Sequence, residues 1–299
     1  MAENGELREQ LPGLNGEKIA AAREGLYHIK EENLSSHMNV EMEYIYSNIR
    51  HSIRLGFPQV TLHAQSPYKL CIVGGGPSLE DTAEELLEQV WSGYKVIALN
   101  NAYNWLIDNK IRPTAVVMAD SRDFMARFVE RAVPDCKYFI ASQCAPEVFA
   151  KVMDRETYIW HSCNDETEVK ILDEFYLGHN YHPVAGGSTV ALRAIGLMRM
   201  LGNRYMDLYG IDSCCMNGKH HAYEQPENDG EEMKSLVYAG ETFICESWMV
   251  NQYRNFMDFL ARDGNKFFLN VHGNGLLAYA IKVNAQVHLD ELDQQNEGD

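Results

Sequence analysis

Seven short apolar runs follow Pro67: KLCIV (69–73), KVIAL (95–99), AVVMA (115–119), KYFIA (137–141), TYIWH (157–161), YMDLY (205–209) and KFFLN (266–270). Their hydrophobicity is continuous rather than alternating, as in strands covered on both faces. Amphipathic helical stretches separate most of them; Leu79, Ala83, Leu86, Leu87 and Val90 form one such stripe. Strand–helix repetition of this kind predicts an α/β fold with a doubly wound, mostly parallel sheet, whose ligands bind at the carboxyl ends of the strands.

Before Pro67 the period is helical, from Glu17 to about Ser35 and from Asn39 to Leu55, where Gly56 and Pro58 end it. The expected organisation is a helical N-terminal region over 1–66, serving as a cap or a homo-oligomerisation arm. The α/β domain over 67–285 and an acidic, solvated tail over 286–299 follow.

The 299 residues carry a net charge of −17, with 43 acidic side chains against 26 basic ones. A field of that sign opposes nucleic acid and anionic membrane surfaces, yet leaves room for a small anion held locally by amides. No apolar run approaches the ~20 residues of a membrane span, and the first residues have neither the basic nor the apolar segment of a signal peptide. The seven cysteines show no CxxC spacing and several fall within the strands, the pattern of reduced thiols in a cytoplasmic protein. Cys214 and Cys215 are adjacent, so a vicinal redox pair is the alternative.

The first strand runs into Gly74, Gly75, Gly76, Pro77 and Ser78. Ser78 and Asp81 match a capping box, so the glycines occupy a strand-to-helix turn. Free N–H groups there favour phosphate or pyrophosphate; a tight turn without a ligand is the plain alternative. No Gly-Lys-Ser/Thr follows, and Leu79 stands where a dinucleotide fingerprint has its third glycine.

The other strand ends add chemistry. Asn100 and Asn101 can hydrogen-bond a base or ribose, or turn the chain. Asp120 suits a divalent metal or a ribose hydroxyl and Arg122 a phosphate, while Ser121 and Asp123 also suit a helix N-cap. Gly186, Gly187, Ser188 and Thr189 open a second helix with amides and hydroxyls. Asp212 closes the sixth strand's YGID run, and Gly273, Asn274 and Gly275 make a third flexible turn. Between them, about 25 residues after Cys215 form no evident element, the mark of a lid or a mobile loop. They hold Lys219, His220, His221 and Tyr223; the histidines read as a general base for an acceptor hydroxyl, as weak metal ligands, or as exposed polar residues.

In order, IVGGGPSL, IALNNAYNWLIDNKIRPTAVVMAD and AGGSTVALRAIGLMRMLGNRYMDLYGID resemble a superfamily. It contains the archaeal 6-hydroxymethylpterin diphosphokinases (the MptE-like domain) and the motility-associated-factor glycosyltransferases. The chain is similar, more distantly, to bacterial sialyltransferases with Gly-Asn-Gly-Pro-Ser-Leu after their first strand. The likeness covers about residues 69–282. It implies a Rossmann-like nucleotide site. Sialyltransferase-like members hold a cytidine nucleotide on residues matching Gly74, Gly75, Gly76, Ser78, Gly187 and Ser188, with Asn100 as their asparagine. Their catalytic histidine falls at His220 or His221. In diphosphokinase-like members an aspartate matching Asp120 serves magnesium and nucleotide. Gly75 replaces the asparagine of the sialyltransferase-like loop, and no arginine directly precedes AGGS, where those members carry one.

The expected protein is a transferase using a nucleotide-activated sugar donor for a surface glycan or glycoprotein. The alternatives are an ATP-dependent, magnesium-assisted pyrophosphokinase acting on a pterin-like alcohol, or a nucleotide-binding partner protein without turnover.

Overall fold

The computed structural model describes residues 40–177, 180–226, 232–263 and 268–285. The helix expected over Glu17–Ser35 and the acidic tail lie outside them. In chain order the elements are α1 (Met42–Arg54), β1 (Lys69–Val73), α2 (Ala83–Trp91), β2 (Lys95–Leu99), α3 (Ala102–Asp108), β3 (Ala115–Met118), β4 (Lys137–Ala141), α4 (Pro146–Lys151), β5 (Thr157–Trp160), α5 (Glu166–Phe175), α6 (Val190–Met200), β6 (Tyr205–Tyr209), β7 (Lys234–Tyr238), β8 (Glu241–Cys245), α7 (Ser247–Asp263) and β9 (Phe268–Val271). A last helix, α8, occupies 276–285.

Seven strands form one sheet in the order β5-β4-β3-β2-β1-β6-β9, and every pairing in it is parallel. The seven apolar runs therefore became its seven strands. Both faces are covered: Leu70, Cys71, Ile72 and Val73 of β1 are buried in succession. The chain builds outward from β1 to β5, then returns to lay β6 on the other side of β1. That reversal opens a crevice at the carboxyl ends of β1 and β6, where open α/β sheets place their ligands.

The structure departs from the sequence pattern in two places near this crevice. The capping box does not form: Pro77–Leu79 is a single 3-10 turn, α2 begins only after Thr82, and the Ser78 hydroxyl has no partner. In addition, the stretch expected to be featureless ends in β7, which pairs with β8 just beyond it in an antiparallel hairpin. Ala239 and Gly240 turn it, both with positive φ (49° and 90°), as a tight hairpin turn requires. Alanine is an unusual residue for the first of these positions, which hides the turn from composition.

Helix α1 buries Ile45 and Ile49 against Ile171 and Leu172 of α5. Asn48 Nδ2 donates to the carbonyls of Ser121 and Gln143 at 3.2 and 3.1 Å, and Ser52 Oγ donates to that of Ser142 at 2.8 Å. One face of this helix is thus sealed onto the loops that follow β3 and β4.

Candidate functional site

One cleft lies at the crevice, and it brings together Gly74–Pro77, Asn100, Thr189, Asp212, His220 and His221 with Ser213, Tyr223, Trp248 and Gln252. Of the residues singled out from sequence, Ser78, Asn101, Asp120, Ser121, Gly186, Gly187 and Ser188 are not part of its lining.

The three glycines are explained first by the protein itself. A Cβ on Gly74 would lie 2.5 Å from the Gly210 carbonyl oxygen, and one on Gly76 would lie 2.3 Å from Asp212 Oδ2. The two turns at the switch point are pressed together, so neither tolerates a side chain. Their amides are partly occupied as a result. Gly74 N–H donates to Tyr209 O, Gly76 N–H to Gly210 O at 2.7 Å, and Ser78 N–H to Asp212 Oδ2 at 3.0 Å. Asp212, 4% exposed, therefore occupies part of the seat expected for a ligand phosphate. Burial raises its pKa, and the hydrogen bond from the Ser78 N–H opposes that shift. Gly273 and Gly275 serve the same packing, since Cβ atoms there would strike Ser78 Oγ and Asp212 at 2.5 and 2.6 Å.

The second helix opening is arranged differently. Arg193 bends the preceding strand-like segment back over α6, donating to Gly187 O, Val184 O and Ser162 O at 3.0, 2.7 and 3.0 Å. Asn255 Oδ1 accepts the Ser188 N–H. Gly186–Ser188 consequently face α6 and α7, while Thr189, Val190 and Ala191 turn into the cleft. Thr189 is the N-cap of α6, yet its side chain caps nothing, and its buried Oγ1 has no partner.

Other polar atoms in the cleft share that condition. Asn100 Oδ1, Ser213 Oγ and His221 Nδ1 are buried without hydrogen bonds. Asn100 and Ser213 also hold left-handed backbone, φ 46° and 55°, which costs a non-glycine residue of order 1 kcal/mol. Unpaired polar groups and strained backbone converging on one cleft mark a ligand seat. Asn101, by contrast, opens α3 and accepts from Asn104 Nδ2 at 3.1 Å.

The residues after β6 lie over the glycine turn. Ala222 N–H donates to Gly75 O at 2.9 Å, and Cys215 N–H to Ile244 O of β8 at 2.7 Å. Tyr223 fills the space beside Gly75, where a Cβ would be 2.2 Å from its hydroxyl. This accounts for glycine at position 75 from within the chain itself.

The two histidines separate. His221 is half-buried beside His220, and this burial followed by that neighbour lowers its pKa to about 4, so it is neutral at pH 7. His220 Nδ1 lies 3.0 Å from Oε1 of Glu246, a carboxylate that is 0% exposed. The other oxygen of Glu246 accepts the Trp248 indole N–H. Sequence reading missed Glu246 and Trp248. They sit just past the unrecognised hairpin, where β8 gives way to α7, and no spacing ties them to His220.

Asp120 stands apart from this group. Arg122 grips both its carboxylate oxygens, Nε and Nη2 donating to Oδ2 at 3.0 and 2.6 Å and Nε to Oδ1 at 3.1 Å. Among the described residues no group of three or more His, Cys, Asp and Glu side chains is placed to hold a metal ion, and no helix is long and apolar enough to cross a membrane. All seven cysteines are free thiols, Cys214 and Cys215 included.

A family model described as 6-hydroxymethylpterin diphosphokinase MptE-like matches residues 18–218. Among solved structures, the MAf glycosyltransferase from Magnetospirillum magneticum AMB-1 superposes with a TM-score of 0.57 at 15% identity, over 84% of this chain and 43% of its own length. It has the same fold, and this chain spans less than half of it. A mammalian sialyltransferase solved with Gal-beta-1-3GalNAc-ortho-nitrophenol also has 15% identity and covers 83% of this chain and 87% of its own. Its TM-score is 0.40, too loose a fit to carry an argument. No curated protein sequence matches the chain. His220, Tyr223, Glu246 and Trp248 lie beyond the residues that the family model matches, so their roles rest on the geometry above.

Proposed function

The chain belongs to the MptE-like family, and from that premise we propose a nucleotide-dependent transferase whose leaving group sits at the opening of α6 while His220 takes the acceptor's proton. The observation that carries this reading is their convergence. One cleft holds a helix opening, three unpaired side-chain oxygens on Asn100, Thr189 and Ser213, and a histidine backed by a buried carboxylate. The first-turn N–H groups of α6 and its dipole suit the negative charge that grows on a departing phosphate. Gly75 belongs to the same wall, beneath Tyr223.

In the finer form of this reading the donor is a nucleotide-activated sugar and the acceptor a hydroxyl on a surface glycan or glycoprotein. His220 accepts the hydroxyl proton as that oxygen bonds to the sugar's anomeric carbon. The anomeric carbon–phosphate oxygen bond breaks, and its electron pair leaves with the nucleotide. Asn100 and Ser213 are placed to receive hydroxyl or amino donors of the nucleoside.

The family description itself favours a second reading, pyrophosphoryl transfer from ATP to a pterin-like alcohol, with magnesium at Asp120. The local geometry does not suit it: Arg122 engages both oxygens of the carboxylate, and that clamp must open before the residue can hold a cation.

Thermal shift with CMP, UDP and ATP, each with and without magnesium, separates the readings. A ligand at a hundred times its Kd stabilises by about 2.7 kcal/mol, well within detection. Pyrimidine nucleotides stabilising without magnesium support sugar transfer, and a shift confined to ATP with magnesium supports the pyrophosphokinase. No shift with any of them refutes both.

A further inference from the structure

We propose that Glu246 is the positioning residue for His220, and that the Trp248 indole makes a carboxylate, rather than an amide, obligatory at that position. The inference deepens the reading of His220 as the base and concerns a residue outside the family match.

Two of the described residues hydrogen-bond the Glu246 side chain. Trp248 Nε1 is a donor and can be nothing else, and it points at Oε2. His220 Nδ1 lies 3.0 Å from Oε1. A carboxylate offers an acceptor at each end, so it satisfies the indole and still holds a proton on Nδ1. The basic lone pair of the ring is then on Nε2. Because Glu246 is wholly buried and His220 is largely so, with 1% and 16% of their side chains exposed, water does not compete for this geometry.

An amide of identical shape cannot do both. In Glu246→Gln the indole N–H claims the amide oxygen, which turns the NH2 group toward His220 Nδ1. A donor facing Nδ1 requires the lone pair there and moves the ring proton to Nε2. His220 would stay in place with the wrong nitrogen protonated. In other enzymes, turning a carboxylate into an amide behind a catalytic histidine lowers turnover by about 10⁴ through this change of tautomer. Removing the indole donor frees the amide to flip. The double variant Glu246→Gln/Trp248→Phe should therefore recover the original tautomer, an effect that simple loss of packing cannot produce.

The test is ¹⁵N NMR of imidazole nitrogens in the full-length chain at pH 8, with His220 assigned through loss of its signals in His220→Gln. The expected tautomers are Nδ1–H in the wild type and in Trp248→Phe, Nε2–H in Glu246→Gln, and Nδ1–H again in the double variant. A Glu246→Gln spectrum that keeps Nδ1–H overturns the proposal, and so does a double variant that stays Nε2–H. Nucleotide release from CMP-N-acetylneuraminate and UDP-N-acetylglucosamine is measured alongside. Loss of release in Glu246→Gln, with restoration in the double variant, is the expected accompaniment. Release that is unchanged in His220→Gln rejects the transferase reading, while the NMR result still decides the positioning role.

Discussion

Asp212 accepts the Ser78 amide N–H at 3.0 Å, from inside the turn whose amides the glycine-rich sequence offers to a ligand. The carboxylate lies against both Gly76 and Gly275, each of which would collide with it if it carried a Cβ. The protein thus places one of its own carboxylates in part of the turn that the sequence pattern offers to a phosphate. In the proposed site the α6 opening, rather than the glycine turn, would therefore carry the larger share of a ligand's negative charge.

Asp212→Asn preserves an oxygen for Ser78 and discards the buried charge. Burial raises the native pKa of Asp212, so the native state binds its proton more tightly than the unfolded chain does. That contribution to stability is fully present below the unfolded carboxylate's pKa and is lost as pH rises through the raised native value. The variant should therefore melt higher than the wild type at pH 8, by an amount of order 1 kcal/mol, and the gap should close toward pH 4. Calorimetry across that range checks it. Equal melting at pH 8 contradicts the assignment.

Gly74→Ala and Gly75→Ala should fail in different ways. At Gly74 the new methyl meets a backbone oxygen, Gly210 O, at 2.5 Å, and backbone at the centre of a sheet does not yield. Overpacking of this kind costs about 1–3 kcal/mol, a drop of roughly 3–10 °C in melting temperature. At Gly75 the obstacle is the Tyr223 side chain, which Tyr223→Ala removes. Melting of the two single variants and of Gly75→Ala/Tyr223→Ala tests this. The pair should be less than additive, with a coupling of 0.5 kcal/mol or more.

The strands were legible because a parallel sheet buried on both faces needs unbroken apolar runs, and Leu70–Val73 or Val116–Met118 admit no other use. The switch point followed from that order. The meaning of the glycines was only half legible. Gly74 and Gly76 look the same whether they yield to a phosphate or to Gly210 and Asp212, and only the packing of two turns distant in sequence decides. Glu246 was hidden for a related reason. Its partner His220 is 26 positions away, joined to it through a hairpin whose turn residues, Ala239 and Gly240, give a weak signal.

His161 should make the protein sensitive to acid. It is 1% exposed, both its ring nitrogens lack partners, and it packs between Tyr176 and Tyr181 at 5.4 and 6.0 Å. Burial lowers its pKa to about 4. A base with a depressed native pKa stays neutral while the unfolded chain takes up its proton, so stability falls as pH drops from the unfolded value near 6.5 toward 4. The loss is at most about 3 kcal/mol for one ring. His161→Phe should flatten this limb and leave the remaining share to His221, whose pKa is lowered to a similar value. Urea midpoints from pH 8 to pH 4 measure both slopes. Parallel curves for variant and wild type would discard the explanation.

His220→Ala and His221→Ala should separate chemistry from binding. His220 is held by a buried carboxylate, whereas His221 is a neutral ring beside it whose Nδ1 has no partner. Proton transfer by a positioned base contributes about 10²–10⁴ in rate, so His220→Ala should lose turnover by that factor. Its thermal shift with the preferred nucleotide should survive, because the α6 opening and Asn100 are untouched. His221→Ala should lose less than tenfold in turnover, since a ring with a pKa near 4 is a poor base at neutral pH, and should change nucleotide affinity instead. Single-turnover rates paired with nucleotide titrations distinguish the two outcomes. A His221→Ala variant as inactive as His220→Ala would mean that the proton leaves through the inner ring, and the pairing of His220 with Glu246 would then serve the lid rather than the reaction.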